Sequence, residues 1–322
     1  MRYRRLLRTG LEVSEIGYGT WGMGGDAWRG GSDEESLAAL RRAFELGLNF
    51  VDTALGYGEG HSERLVGEAV RGSSAPVYIA SKIPPLNRRW PAQPGVGIQD
   101  VFPYRHIVES TEASLRNLGR ETIDLQQLHV WNPEWIEEEE WRRAFEDLKK
   151  SGKLRGVGVS ANSSDADSVL SLVRTGGIDS VQVIYNVFDR RPERSLFPLC
   201  IEKRVGVVVR CPLDEGALTG TITEDSHFEP DDYRARYFRG DRKAQVAQRV
   251  AAMQEDLASV DGSIAELALR FCLAPTAVAT VIPGMRKVRN AEANCAIPDK
   301  GPLDAETLEI LRRHAWDKNF RA

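Results

Sequence analysis

Short apolar runs and amphipathic helical stretches alternate from one end of this 322-residue chain to the other, and that alternation leaves few folds open. EIGYGT, NFVDT, VYIASK, IDLQQLH, LRGVGVS, SVQVIYN, VGVVVR and ATVIP are the apolar runs. Each has the length and residue types of a strand. Between them stand segments such as DEESLAALRRAFELG and SERLVGEAV, with apolar residues at helical spacing. The first carries acids at its start and Gly47 at its stop. EEEEWRRAFEDLKKSG places acids before lysines, the order that a helix dipole favours. About eight strand–helix units close a (β/α)8 barrel of roughly 250 residues plus insertions. The expected fold is therefore α/β, a (β/α)8 TIM barrel with residues 1–322 as a single domain. YRRLL and EVSEI, joined by Arg8-Thr9-Gly10, predict an N-terminal β-hairpin on the barrel floor. LDAETLEILRRHAW predicts an extra C-terminal helix.

Two stretches interrupt the repeat. Pro84 to Pro103 is rich in Pro and Gly and carries Trp90, and Pro212 to Gly240 is long and polar. Both follow strands, so both are expected over the barrel mouth, where long loops serve as lids or binding loops. The net charge of -4 gives no reason to expect nucleic acid or an anionic membrane as partner. No run is apolar enough to span a bilayer. Cys200, Cys211, Cys272 and Cys295 form no CxxC pair, which suits unpaired thiols in a reducing cytoplasm.

Asp52, Tyr57, Lys82 and His129 each lie at or just past the C-terminal end of an apolar run. In a parallel barrel those ends share one mouth, where such barrels keep their chemistry. Singly, each residue has a bland reading: a packing tyrosine, a solvated lysine, a structural histidine. As an ordered set they make a proton-donating site that needs neither a metal nor a covalent nucleophile. Asp52, His61 and His129 can be drawn as metal ligands, but no HxH or HExxH spacing supports that.

The ordered pieces NFVDTALGYGEGHSERLVGEA, IASK, LQQLH, LRGVGVS, VQVIYN and PLDEGALTG resemble the aldo-keto reductases over nearly the whole chain. The GTWGMGG opening is most similar to the bacterial stress-protein-like branch, which also resembles potassium-channel β-subunits. The resemblance implies a nicotinamide cofactor, NADPH in most members, with NADH possible. It also implies reduction of an aldehyde, ketone or sugar. In that chemistry Tyr57 is the candidate proton donor. A free tyrosine has a pKa near ~10. Lys82 is expected to lower it, with Asp52 keeping Lys82 charged and His129 orienting the substrate oxygen. Two rival readings remain: a slow cofactor-binding regulator like the channel subunits, and an NAD-dependent sugar or polyol dehydrogenase.

No GxGxxG follows the first strand, so a Rossmann cofactor site is not expected. The resemblance assigns Ser160 and Gln182 to the nicotinamide carboxamide. Many members follow that serine with Asn; this chain has Ala161, with Asn162 one step later. Arg210 stands where many members stack an aromatic on the nicotinamide, its other expectation being a turn toward Asp214. Pro212 and Leu213 open a loop expected to cover the pyrophosphate. Gly284 and Arg286 precede a helix start, a natural anion site, and Arg286 is the candidate for the 2′-phosphate, with Lys287 and Arg289 assisting. Asn290 and Asn294 fall at positions facing the adenine end. Trp21, Trp90 and Trp131, with Trp28 as a fourth candidate, are expected to wall a small-molecule pocket. Oligomeric state is left open.

Overall fold

The computed structural model describes residues 1–25, 27–318 and 320. Strands β1 (Tyr3–Arg5) and β2 (Glu12–Ser14) form an antiparallel hairpin with Tyr3 opposite Ser14. Eight further strands follow: β3 (Tyr18–Gly19), β4 (Phe50–Asp52), β5 (Tyr78–Ile83), β6 (Ile123–Leu128), β7 (Leu154–Ser160), β8 (Ser180–Ile184), β9 (Gly206–Arg210) and β10 (Val278–Val281). They lie side by side in sequence order, each parallel to the next. Parallel bridges from Ile16 to Val281 and from Gly19 to Gly284 join the first strand region to the last. The Gly19 amide donates to the Pro283 carbonyl at 3.0 Å. The sheet is thereby closed, and the chain is a (β/α)8 barrel. The first expected strand is shorter than EIGYGT, because only Tyr18 and Gly19 pair continuously with β4.

Helices fall between the strands as the periodicity predicts. The helix Asp33–Glu45 starts at Ser32, whose hydroxyl accepts from the Glu35 amide at 3.1 Å. The C-terminal helix is Ala305–Arg313. The loop from 212 to 240 is not bare: it contains a 3-10 turn, Asp214–Thr219, and a short helix, Tyr233–Tyr237.

Inside the barrel the side chains are layered. Leu6, Leu11 and Val13 of the hairpin pack up against Phe50, Ala80, Leu125 and Val208. Strand side chains alternate faces, so the inward position two residues above each of those four is next toward the mouth. Those positions hold Asp52, Lys82, Gln127 and Arg210. An apolar floor and a polar mouth thus come from one alternation. Gly206 admits the plug: a Cβ there would lie 2.5 Å from the Leu6 side chain. Leu6→Ala is expected to cost about 2–4 kcal/mol, by lost burial plus the cavity left under the barrel. Chemical denaturation measures it, and an unchanged midpoint would refute the plugging role.

Candidate active site

Asp52 ends β4 and Lys82 lies on β5, both buried. The Lys82 Nζ donates to Asp52 Oδ1 at 2.5 Å, to the Thr53 carbonyl at 2.8 Å and to Tyr57 Oη at 3.2 Å. Tyr57 reaches that position from a tight turn after β4, closed by the Tyr57 amide on the Ala54 carbonyl at 3.0 Å. Gly58 makes the turn possible. Its φ is +59°, and a Cβ there would lie 2.1 Å from the Gly24 carbonyl oxygen. His129 follows β6 and sets its ring edge-on to Tyr57, with centroids 5.7 Å apart. The structure therefore gathers all four sequence-predicted residues at one mouth.

The electrostatics depart from expectation in one respect. Burial raises the Tyr57 pKa above the ordinary phenol value; Lys82 pulls it down but does not win. The expected lowering is corrected, because loss of water around the phenolate outweighs one nearby ammonium. Burial also works against the charge on Lys82, yet Asp52 and Tyr57 hold its pKa above the ordinary lysine value. His129 is pushed well below its ordinary value by burial, then by Lys82 and Arg210, so its imidazole is neutral near pH 7. At neutral pH the mouth presents a protonated phenol, a charged lysine and an uncharged histidine.

Sequence reasoning missed Gln127 and Glu63, and did not pair Gln182 with Asp52. Asp52 Oδ2 accepts from Gln182 Nε2 at 2.6 Å and from Gln127 Nε2 at 3.3 Å. Gln127 had a signal, being a polar residue in the apolar run IDLQQLH on the same face as His129. Glu63 is fully buried and accepts from Ser81 Oγ at 2.6 Å and Asn117 Nδ2 at 2.9 Å, bracing the strand beside Lys82. His61 pairs instead with Asp33 at 2.9 Å.

The cofactor-side residues are also brought to this rim, with changes. Ser160 and Gln182 lie level on adjacent strands, and the Gln182 amide nitrogen already serves Asp52. Asn162 donates to the Trp131 carbonyl at 2.9 Å, and its Oδ1 is buried without a partner among the described residues. Arg210 does not turn to Asp214. Its Nη2 donates to the Ala161 carbonyl at 2.9 Å and Ser163 Oγ at 3.2 Å. Asp214 is instead buried against Lys318 Nζ and the Tyr237 hydroxyl. That pairing holds a turn in which Asp214 and Glu215 both have positive φ, +50° and +58°. After Pro212 and Leu213, the Asp214, Gly216 and Leu218 amides bond within the turn, so fewer amides face outward than expected.

Arg286 runs past two glycines. A Cβ on Gly31 would lie 2.8 Å from its Nη1, and one on Gly22 3.1 Å from its Cδ. Gly284 beside it is exposed, with nothing nearer to a built Cβ than the Gly19 oxygen at 3.9 Å. Burial, then the charge of Arg234, holds the Arg286 pKa below the ordinary arginine value. Lys287, Arg289 and Asn290 are exposed and Asn294 is half-buried. Arg286, with Arg234 close enough to act on it, offers a cationic contact for an anionic cofactor end, and orphaned Asn162 Oδ1 fits an amide at the other.

Two loops meet beside Arg286, whose Nη2 donates to the Arg29 carbonyl at 3.0 Å. The Arg29 guanidinium donates to Asp231 at 2.5 Å, its amide to Asp232 at 3.0 Å, and the Tyr233 amide donates to the Ala27 carbonyl at 2.8 Å. Trp21 packs edge-on to Trp28 and Tyr233 at 5.8 and 4.8 Å. Trp90, 47% exposed, sets its edge 5.9 Å from His129. Trp131 does not face a pocket. It is fully buried, edge-on to Trp135 and Trp141 at 5.9 and 5.4 Å. The loop after β6 tucks its ring under the rim, so Trp131 is corrected from wall to core.

Fold and mouth together are those of an NAD(P)-dependent oxidoreductase. A family model described as the aldo/keto reductase family matches residues 15–315. The chain belongs to that family. It is 31% identical over 303 residues to the aldo-keto reductase YhdN of Bacillus subtilis (strain 168), covering 91% of this chain and 87% of that protein. It is 30% identical over 319 residues to the NADH-specific methylglyoxal reductase of Escherichia coli (strain K12), covering 95% and 96%. An aldo-keto reductase from Klebsiella pneumoniae in complex with NADPH superposes with a TM-score of 0.71 at 25% identity, covering 99% and 97%. Among the described residues no helix is long and apolar enough to cross a membrane.

Proposed function

We propose that this chain is an NADPH-preferring carbonyl reductase, one barrel domain in which Tyr57 donates the proton. The observation that carries the reading is the Lys82 Nζ bonded to both Asp52 and Tyr57 Oη. When bound, the nicotinamide supplies a hydride to the carbonyl carbon. Tyr57 gives its proton to the carbonyl oxygen, and Lys82, 3.2 Å away, stabilises the phenolate left behind. Asp52 keeps Lys82 charged in a buried site. Neutral His129 donates a hydrogen bond that orients the oxygen. Ser160 and Asn162 serve the carboxamide, with Gln182 shared between it and Asp52. Trp21 and Trp90 wall a pocket for a small aldehyde, ketone or sugar. Four free thiols support a reducing, cytoplasmic setting.

NADPH preference rests on Arg286. Its guanidinium, packed over Gly22 and Gly31 with Arg234 acting on it, suits a 2′-phosphate, with Lys287 and Arg289 alongside. The Escherichia coli relative's name favours NADH as the second reading. Titrating each cofactor against tryptophan fluorescence separates them. Arg286→Ala is expected to weaken NADPH about ten- to hundredfold, the loss of one charge-assisted contact, and to leave NADH nearly unchanged. Equal losses refute the phosphate role; binding of NADH alone moves the assignment to the second reading.

A further inference from the structure

Arg210 is a cation that the proton-transfer scheme leaves without a task. On β9 it sits two residues toward the mouth from Val208, and Val208 is level with Gln182, which donates to Asp52. The Arg210 side chain therefore faces the mouth, in the inward layer that also holds Asp52, Lys82 and Gln127. Its hydrogen-bond partners are the Ala161 carbonyl, the Ser163 hydroxyl and, at 3.9 Å, the Cys211 sulfur. Among the described residues it makes no ion pair, and its Nε is buried without a partner. Its charge is felt at the reacting groups: behind burial and Lys82, it opposes the rise at Tyr57 and adds to the lowering at His129.

A carbonyl oxygen at Tyr57 and His129 fixes where the hydride donor must lie, because reacting atoms approach within about 3–3.5 Å. The nicotinamide ring thus occupies the mouth that Arg210 borders. The ring is neutral when reduced. Passing a hydride, with its electron pair, to the carbonyl carbon leaves the ring with one positive charge, while the oxygen takes the Tyr57 proton. We propose that Arg210 makes this a redox-state-selective cofactor site, binding the reduced form and rejecting the oxidised one through charge repulsion. The selectivity hastens departure of the spent cofactor and leaves the overall equilibrium unchanged. Two unit charges about 10 Å apart at an effective dielectric near 20 separate the two forms by about tenfold or more.

The inference rests on the nicotinamide reading above, and the test keeps the two apart. Tryptophan fluorescence titrations give dissociation constants for NADPH and NADP+ with the wild type, Arg210→Met and Arg210→Lys. The wild type should bind NADPH about tenfold or more tighter than NADP+. Arg210→Met, which keeps the length and removes the charge, should bring that ratio near one, and Arg210→Lys should restore it. Arg210→Gln supplies a second neutral side chain where near-ultraviolet circular dichroism shows the methionine variant misfolded. A wild type that prefers NADP+, or neutral variants with an unchanged ratio, would overturn the proposal while leaving the cofactor site intact. A wild type that binds neither form sinks the nicotinamide reading, and this inference with it.

Discussion

Tyr57→Phe is expected to lower kcat for carbonyl reduction by about 10²–10⁴-fold, the usual contribution of a positioned general acid. The substitution removes one oxygen and keeps the ring, which packs edge-on against His129. Cofactor affinity should change little, because the proposed carboxamide contacts lie on the far wall at Ser160 and Asn162. Raised by burial, the phenol is protonated across the neutral range, so it is ready to donate and poor at withdrawing a proton. The wild-type reductive rate is therefore expected to stay flat through neutral pH. In the opposite direction the same group must first lose its proton, so alcohol oxidation should rise with pH. Steady-state rates in both directions over pH 6–10, for both proteins, check all of this. A variant with near-wild-type kcat would remove Tyr57 from the chemistry.

Lys82→Met is expected to be the most damaging change to the fold as well as to the rate. The side chain is completely buried and nearly isosteric with methionine, so packing survives while the charge does not. Asp52 would keep its two glutamine donors and lose the Lys82 ammonium. Breaking a buried pair from one side costs about 3–5 kcal/mol, because the remaining charge is stranded out of water. The Thr53 carbonyl would lose its donor too. The phenolate formed by Tyr57 would lose its stabilising cation, so kcat should fall at least as far as in Tyr57→Phe. Denaturant midpoints and turnover are the two readouts. Restoring stability with Asp52→Asn in the same chain, without restoring turnover, is the expected double-variant result. Wild-type stability in Lys82→Met would refute the stabilising role of the buried Lys82–Asp52 pair.

The barrel was legible because its signal is local and repeated. Each strand announces itself in five to seven residues, and the residue ending it is read directly from the sequence. That placed Asp52, Lys82 and His129 at one rim, with Tyr57 just past the same run as Asp52. Gln127 was equally readable in hindsight, as a polar residue sharing a strand face with His129. Trp131 was not. Its loop position suggests a pocket wall, and only Trp135 and Trp141 closing around it reveal a core residue. Arg210 likewise gave two possible directions, toward the cofactor or toward Asp214. Lys318, 104 residues further along than Asp214, took that carboxylate and left Arg210 to the mouth.

What the sequence by itself determined is order and parity: which residues end strands, and which faces share a layer. Both follow from the two-residue period of a strand and the fixed geometry of a parallel barrel. What only the tertiary structure decided is competition. The sign of the Tyr57 shift, the partner of Arg210, the double use of Gln182 and the burial of Trp131 each depend on several groups distant in sequence. Gln182 meets Asp52 across 130 residues, and Asn162 meets Trp131 across 31. Burial and electrostatics sum over every neighbour that folding brings near, and no local pattern contains that sum.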